Sequence, residues 1–433
     1  MAGGSDPVSS ANTQRLRSEF AFMYELCQVV ASNADLQPIL DWIARKTTSM
    51  FSADEGSIRL LGEDPGPPTL KTLIRKEQPG IHSGSWPSAI STNVMGFLMA
   101  RGEPLATPDL PHDPRFPGLQ GVETRIRSVL AVPLKVGNRF TGMLAVTRMT
   151  PGRQWTENEV QLLSMVAINS ASVIEQARLK IEAEDKRRYD RELETARGIQ
   201  MSLLPAHPLR LGPWEAVGRV VPARQVGGDA FEYFPLRDGR LAIAIADVSG
   251  TGVPAALLMA NVQASVRALC DGRMSIPAAM RSVNESIVRS ASGRFVTLFY
   301  GEIDPREGMI RYANAGHNYP LVCRRDGSLV ELVEGGLPLG VTEQAAYEAG
   351  GCPLVSGDAL LLYSDGITEA LDLQGQEFGE ARLRAAWQQV RERPPAEAMA
   401  QVFAEVEAFR GRAVQGDDMT VVIVGRSAVP DPA

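Results

Sequence analysis

Four short segments of this chain place aspartates beside glycines and apolar runs: Val226-Gly227-Gly228-Asp229, Ile245-Ala246-Asp247, Tyr363-Ser364-Asp365-Gly366, and Asp417-Asp418 immediately before the run MTVVIVG. In each case the aspartate is expected at or next to the end of an apolar strand, where a side chain is held rigidly. The nearby Gly227, Gly228, Gly250 and Gly366 would then permit close backbone approach to an ion, its waters or a phosphate. Carboxylates converging without His or Cys make an oxygen-only site, suited to magnesium or manganese. Two such ions about 3.5–4 Å apart bridge a water, lower its pKa and orient it for in-line attack on phosphorus. The chemistry expected is phosphoester hydrolysis without a covalent enzyme intermediate. One aspartate alone would mean little, since Asp is common at turns that follow strands.

Other chemistries find less support. The four histidines, His82, His112, His207 and His317, are dispersed, and Cys27, Cys270, Cys323 and Cys352 occur singly, with no C-x-x-C pair and no zinc-ligand spacing. The cysteines are therefore expected to be core thiols. A formal charge of -7 and the absence of a Lys/Arg-dense block argue against nucleic-acid binding. The first residues, MAGGSDPVSS, lack the basic and apolar regions of a secretory signal, and no apolar run approaches the ~20 residues of a membrane span. The expected location is cytoplasmic. At 433 residues the chain has room for two or three domains.

The elements that must position the aspartates can be read from periodicity. Strands are expected over 214–221, 241–246, 295–303, 310–314, 360–363 and 420–424, with helices over 254–269, 277–289, 380–391 and 395–409. Upstream, apolar residues at helical spacing between Leu16 and Ile43 indicate two helices parted near Asn33-Ala34-Asp35. Strand-like segments follow at 56–61, 70–74, 128–134 and 142–148, then a helical face over 155–179. The proline-rich stretch 106–117 reads as a binding loop or lid. Between the halves, IEAEDKRRYDRELE is densely charged, with Glu182 to Lys186 and Glu184 to Arg188 placing acid four residues before base. Residues 175–204 should form one helix, ended by Pro205, with apolar flanks (Val173, Ala177, Ile181; Leu193, Ala196, Ile199, Leu203) that suit a homodimer.

Two resemblances follow from these segments. The strings NVMGFLMARGEPLATPDL, RIRSVLAVPLKVGNRFTGMLAVTRM and WTENEVQLLSMVAINSASVIEQARL resemble a GAF domain, covering about the first 178 residues. That implies a six-stranded antiparallel sheet with helices, often sensing a small molecule of identity unknown here. The cyclic-nucleotide motif of that family is broken, since Thr147-Arg148 and Glu159-Val160 stand in its places, and bilin attachment lacks a cysteine between residues 53 and 170. His82 or His112 could serve a haem only as lone residues, whose usual role is structural or solvated.

The strings ARGIQMSLLP, PARQVGGDAFEYF, IADVSGTGVPAALLM, YANAGHNYPL, YSDGITEA and GDDMTVVIV resemble, in order and spacing, the PPM protein phosphatases in their bacterial SpoIIE-like branch. The resemblance implies an α/β/β/α sandwich and hence an α+β chain: a GAF sensor over 1–178, a helical linker over 179–204 and the phosphatase domain over 205–427. It implies two manganese or magnesium ions, with Asp229 and Asp247 binding or bridging them, the Val248 carbonyl as an added ligand, and Asp365 and Asp417 completing the site. Asp418 is the adjacent alternative, though the family's Asp-Asn-x-Thr pattern favours Asp417. Arg224, five residues before Asp229, occupies the place of a phosphate-binding arginine; a guanidinium suits phosphate by bidentate contact. By family analogy the substrate is a phosphoprotein, such as an anti-sigma-factor antagonist in partner switching. Three departures stand out. Val248-Ser249 replaces the Gly-His of eukaryotic relatives, which leaves no assigned general acid; Glu232 stands where Asp is common; and His317 in NAGHN is expected to order a turn. The rival readings are a phosphoprotein-binding pseudophosphatase and a small-molecule receptor that acts by docking.

Overall fold

The structure, a computed structural model, describes residues 20–29, 35–61, 69–75, 86–355 and 357–426. Two compact units divide between Arg188 and Tyr189.

In the first unit, α1 (20–29) and α2 (Leu36–Met50) precede β1 (Glu55–Leu60) and β2 (Thr69–Arg75), followed by α3 (Ser88–Arg101), β3 (Leu105–Thr107), β4 (Ser128–Val136) and β5 (Arg139–Arg148). The strands form one antiparallel sheet in the order β2-β1-β5-β4-β3. Among the described residues it has five strands, not the expected six. Successive residues of a strand face opposite sides, and each face has its own core. Ile58, Leu144 and Val146 pack with Phe22, Leu26, Ile39 and Ile43, whereas Met143 and Ala145 pack with Trp86, Ile90, Val94 and Leu98. The proline-rich stretch expected as a loop carries β3 and two short 3-10 turns, Leu110–His112 and Pro117–Leu119.

Helix α4 (Glu157–Leu203) is a single 47-residue helix. It opens with a capping box: Glu159 N–H donates to Thr156 Oγ1 (3.2 Å) while Thr156 N–H donates to Glu159 Oε2 (2.8 Å). Glu159 also pairs with Arg148 (3.1 Å), so the residues that replace the cyclic-nucleotide motif tie β5 to the start of this helix. Residues 182–192 are exposed throughout, in keeping with their charge, and the helix stops two residues before Pro205.

The second unit contains β6 (Leu209–Leu211), β7 (Trp214–Val221), β8 (Ala230–Pro235), β9 (Leu241–Val248), α5 (Val253–Leu269), α6 (Ile276–Val288), β10 (Val296–Asp304) and β11 (Met309–Ala315). There follow β12 (Leu321–Cys323), β13 (Leu329–Glu331), β14 (Gly335–Gly336), β15 (Gly350–Pro353), β16 (Ala359–Tyr363), α7 (Asp365–Thr368), α8 (Gly379–Val390), α9 (Pro395–Arg410) and β17 (Met419–Arg426). One sheet runs β14-β11-β10-β9-β8 with β15 beside β11; the other runs β13-β12-β16-β17-β7-β6. Period-two alternation explains the layering: Leu360, Leu362, Val422 and Val424 join the core shared with the first sheet, while Leu361, Tyr363, Val421 and Ile423 pack on Leu383, Trp387, Val402 and Phe403 of α8 and α9. Helices α5 and α6 cover the other sheet. The result is the expected α/β/β/α sandwich.

Cys270, Cys323 and Cys352 are buried, but Cys27 lies exposed on α1, where helical position and not thiol chemistry decides its environment. His82 lies outside the described residues. His112 is solvent-facing and bonds Asp109 (2.8 Å). No helix among the described residues is long and apolar enough to cross a membrane.

Candidate active site

The sandwich brings the sequence-selected aspartates to one end of its two sheets. Asp247 is the penultimate residue of β9, Asp365 follows β16 by two residues and opens α7, and Asp417 and Asp418 immediately precede β17. Asp229 departs from expectation: it stands at the start of β8, not at the end of a strand, because the glycine pair before it continues a loop. These carboxylates sense one another. Burial, together with Asp365 and Asp417, pushes the Asp247 carboxyl up to about 7. Burial and Asp247 raise Asp229, and burial and Asp417 raise Asp365. The leading causes of these shifts are burial and the neighbouring aspartates, with no lysine or arginine among them, so the clustered carboxyls resist ionising together.

The two adjacent aspartates separate cleanly by their partners. Asp418 is buried; its Oδ1 accepts the Ala223 N–H (2.8 Å) and its Oδ2 accepts the N–H groups of Gly228 (2.6 Å) and Asp229 (3.4 Å). Both oxygens are thus occupied in holding the loop that carries Asp229. Asp417 is exposed, and among the described residues its carboxylate accepts only the Asp418 N–H (2.8 Å). Glycine plays a different part from the one expected. A Cβ on Gly227 would stand 2.3 Å from Asp418 Oδ2, and one on Gly366 would stand 2.1 Å from the Asp418 carbonyl oxygen. These two glycines make room for Asp418. The Val248 carbonyl oxygen stands 3.0 Å from the corresponding position at Gly228.

Sequence reasoning missed the residues that hold the carboxylates in place. Thr420 Oγ1 donates to Asp229 Oδ2 (2.5 Å), fixing a buried carboxyl with a buried hydroxyl. Ser364 Oγ accepts the Thr420 N–H (3.0 Å) and donates to the Asp418 carbonyl (3.2 Å), while Ser364 N–H donates to Thr420 O (3.0 Å). Near the end of α4, the buried Gln200 amide grips Gly227 twice: Nε2 donates to Gly227 O (2.7 Å) and Oε1 accepts Gly227 N–H (3.1 Å). An Asp-x-Thr spacing at 418–420 was the available signal for Thr420, and the string ARGIQMSLLP the one for Gln200, which faces inward beside the exposed Ile199.

His317 is no acid catalyst in this geometry. It is fully buried, its Nε2 faces the Tyr363 carbonyl (3.1 Å) and so carries the proton, and its Nδ1 accepts from Thr297 Oγ1 (2.8 Å). Burial pulls its pKa down to about 4, so the ring is neutral near pH 7. Its backbone closes a turn on the Asn314 side chain, as expected, and its ring ties β11 to the end of β16. Glu232 is also structural: it accepts from Gln263 (2.6 Å) and pairs with Arg267 (3.4 Å), joining β8 to α5. Arg224 is exposed and has no hydrogen-bond or ion-pair partner among the described residues, one residue beyond the Ala223 amide that Asp418 holds.

Among the described residues no group of three or more His, Cys, Asp or Glu side chains is arranged closely enough to hold a metal ion as it stands. The donor set nevertheless suits hard divalent cations: it is all oxygen, it draws on four chain segments, and its members raise one another's pKa.

Residues 35–174 match the GAF domain family, and residues 237–427 match the family described as Stage II sporulation protein E (SpoIIE). Residues 35–174 are thus similar to GAF domains and residues 237–427 to the SpoIIE family. Among curated relatives, the protein IcfG of Synechocystis sp. (strain ATCC 27184 / PCC 6803 / Kazusa) is 29% identical over 220 residues, 44% of this chain and 35% of that protein. The phosphoserine phosphatase RsbU of Bacillus subtilis (strain 168) is 29% identical over 180 residues, 41% of this chain and 53% of RsbU. The chain thus spans about half or less of the length of these relatives. Among solved structures, the SiaA-PP2C domain of Pseudomonas aeruginosa aligns with a TM-score of 0.49 at 22% identity, over 56% of this chain and 99% of that one.

Proposed function

We propose that the second unit is a metal-dependent protein serine/threonine phosphatase in which Asp229, Asp247, Asp365 and Asp417, with the Val248 carbonyl, hold two manganese or magnesium ions. The observation that carries this reading is the convergence of carboxyls from four chain segments that burial and one another push up in pKa. When bound, such ions neutralise phosphate charge and lower the pKa of a water. The chain's own residues do the positioning. Thr420 orients Asp229, Asp418 holds the 223–229 loop, and Gln200 fixes that loop from α4. Asp418 is left out of the metal set because both its oxygens are engaged by backbone amides. Arg224, with its guanidinium free, binds the substrate phosphate and offsets charge in the transition state.

The domain limits that go with this reading are a GAF sensor over 1–178, a linker over 179–204 and the catalytic domain over 205–427. RsbU is named a phosphoserine phosphatase, which supports a phosphorylated protein substrate for this chain, of the anti-sigma-factor-antagonist kind used in partner switching. The chain acts as a cytoplasmic homodimer whose GAF domain governs turnover. The test is hydrolysis of p-nitrophenyl phosphate and of a phosphoserine peptide by the full chain, with manganese and with a chelator. Manganese-dependent turnover that Asp365→Asn abolishes, with the unfolding profile unchanged, supports the assignment. Metal-independent turnover, or Asp365→Asn activity within threefold of the parent at saturating manganese, overturns it.

A further inference from the structure

The first unit buries a positive charge that no described group neutralises. On β1 the residues alternate: Ile58 and Leu60 face the core built with α1 and α2, and Ser57 and Arg59 face the opposite side of the sheet. Arg59 is only 4% exposed, and its guanidinium lies over the Trp86 ring at 5.3 Å from the centroid. Its Nε and Nη2 have no hydrogen-bond partner, and no carboxylate among the described residues pairs with it. Glu55, on the same face, stands four residues away, roughly 13 Å along the strand. Burial lowers the Arg59 pKa to about 10, which still leaves it charged at neutral pH.

Two further donors beside it are also unmatched. Ser57 Oγ, two residues away on the same face, and Nε1 of Trp86 are both buried and without a partner. A buried polar group without a hydrogen bond is costly, and an unpaired charge more so. The cation-π contact with Trp86 satisfies the face of the guanidinium but leaves its in-plane N–H groups empty. Those N–H groups form a planar fork, the geometry that accepts two oxygens of one oxyanion.

We propose that Arg59 anchors a binding site for a small oxyanion in the GAF domain, with the Ser57 hydroxyl and the Trp86 indole N–H as neighbouring donors. The ligand chemistry is a carboxylate or a phosphate group. A cation is disfavoured by the guanidinium, and a purely apolar ligand would leave all three donor groups unmatched. The site is separate from the aspartate cluster and does not depend on the activity assigned to the second unit.

The experiment is thermal unfolding of the full chain in sodium phosphate, in sodium succinate and in sodium chloride at matched ionic strength, for the parent and for Arg59→Met. The expected result is a higher transition temperature of the GAF unit in one oxyanion but not in chloride, absent in Arg59→Met. A response to succinate alone identifies a carboxylate ligand and a response to phosphate alone a phosphate ligand. Arg59→Met should itself match or exceed the ligand-free parent in stability, because an uncompensated buried charge is exchanged for an apolar chain. If Arg59→Met does not fold, Arg59→Lys keeps the charge without the fork and should respond about tenfold more weakly in titration. Equal behaviour of the parent in all three salts would mean that only water fills the site, and an unchanged response in both variants would place the anion elsewhere; either result overturns the proposal.

Discussion

Asp417 and Asp418 are chemically identical neighbours with divergent surroundings, and that difference is testable. Asp417→Asn keeps the volume but weakens a ligand that must be anionic, so manganese affinity and turnover should fall while the unfolding temperature stays put. Asp418→Asn should instead destabilise the fold by roughly 1–3 kcal/mol, since an amide cannot serve two acceptor oxygens to the Ala223 and Gly228 N–H groups. Manganese titrations of activity alongside thermal unfolding separate the two outcomes, and identical profiles would contradict both roles. Arg224 makes the complementary case. Arg224→Lys should lose about ten- to a hundredfold in kcat/KM for a phosphopeptide, because an ammonium lacks the fork, with metal affinity unchanged. Unaltered kcat/KM in Arg224→Ala would make it a surface residue.

At the scale of elements, His317 links the two sheets of the sandwich through Thr297 on β10 and the Tyr363 carbonyl at the end of β16. Its folded pKa, about 4, lies below the ordinary value of 6.5, so in that window the unfolded chain binds the extra proton. Stability from this residue is therefore complete above pH 6.5 and is lost as pH falls towards 4, on the order of 3 kcal/mol in all. Chemical denaturation of the full chain at several pH values should show this loss for the second unit, and His317→Gln should flatten it. A slope unchanged in the variant would assign the acid sensitivity to other groups. The strands and helices around this link were legible because their apolar runs have the right length and period: β7 coincides with the expected 214–221, and α5 and α9 differ from expectation by one residue at an end. Strand β8 was not, since Ala230–Pro235 follows a glycine pair and reads as the continuation of a loop. Short strands such as β12 and β13 have three residues each and exist only because neighbours pair with them.

At the scale of the molecule, α4 is the element that both units share in sequence, and its exposed middle has too little apolar surface to gain from packing within one chain. Of the flanks expected to pair, Val173 and Ala177 pack instead in the core of the first unit, whereas Ile199 and Leu203 are exposed and available to a second copy. Light scattering at micromolar concentration should give the mass of a dimer, and removal of residues 1–178 should alter phosphatase activity. A monomer with the same activity in both forms would sink the coupling role of α4. The resemblance of short motifs implied the α+β plan, and periodicity and spacing marked the aspartates worth attention and a helix over 175–204, which proves to be the latter part of one helix from Glu157 to Leu203; these depend on local chemistry and on spacing along the chain. Which aspartate is free and which is tied, that Gly227 and Gly366 accommodate Asp418, that Gln200 and Thr420 hold the Asp229 segment, and that Arg59 is buried unpaired were decided only by tertiary structure. Each of those facts is a contact between residues tens to hundreds of positions apart, or a burial produced by the packed sheet, and spacing along the chain could mark at most a residue, as Asp-x-Thr marks Thr420, not its contact.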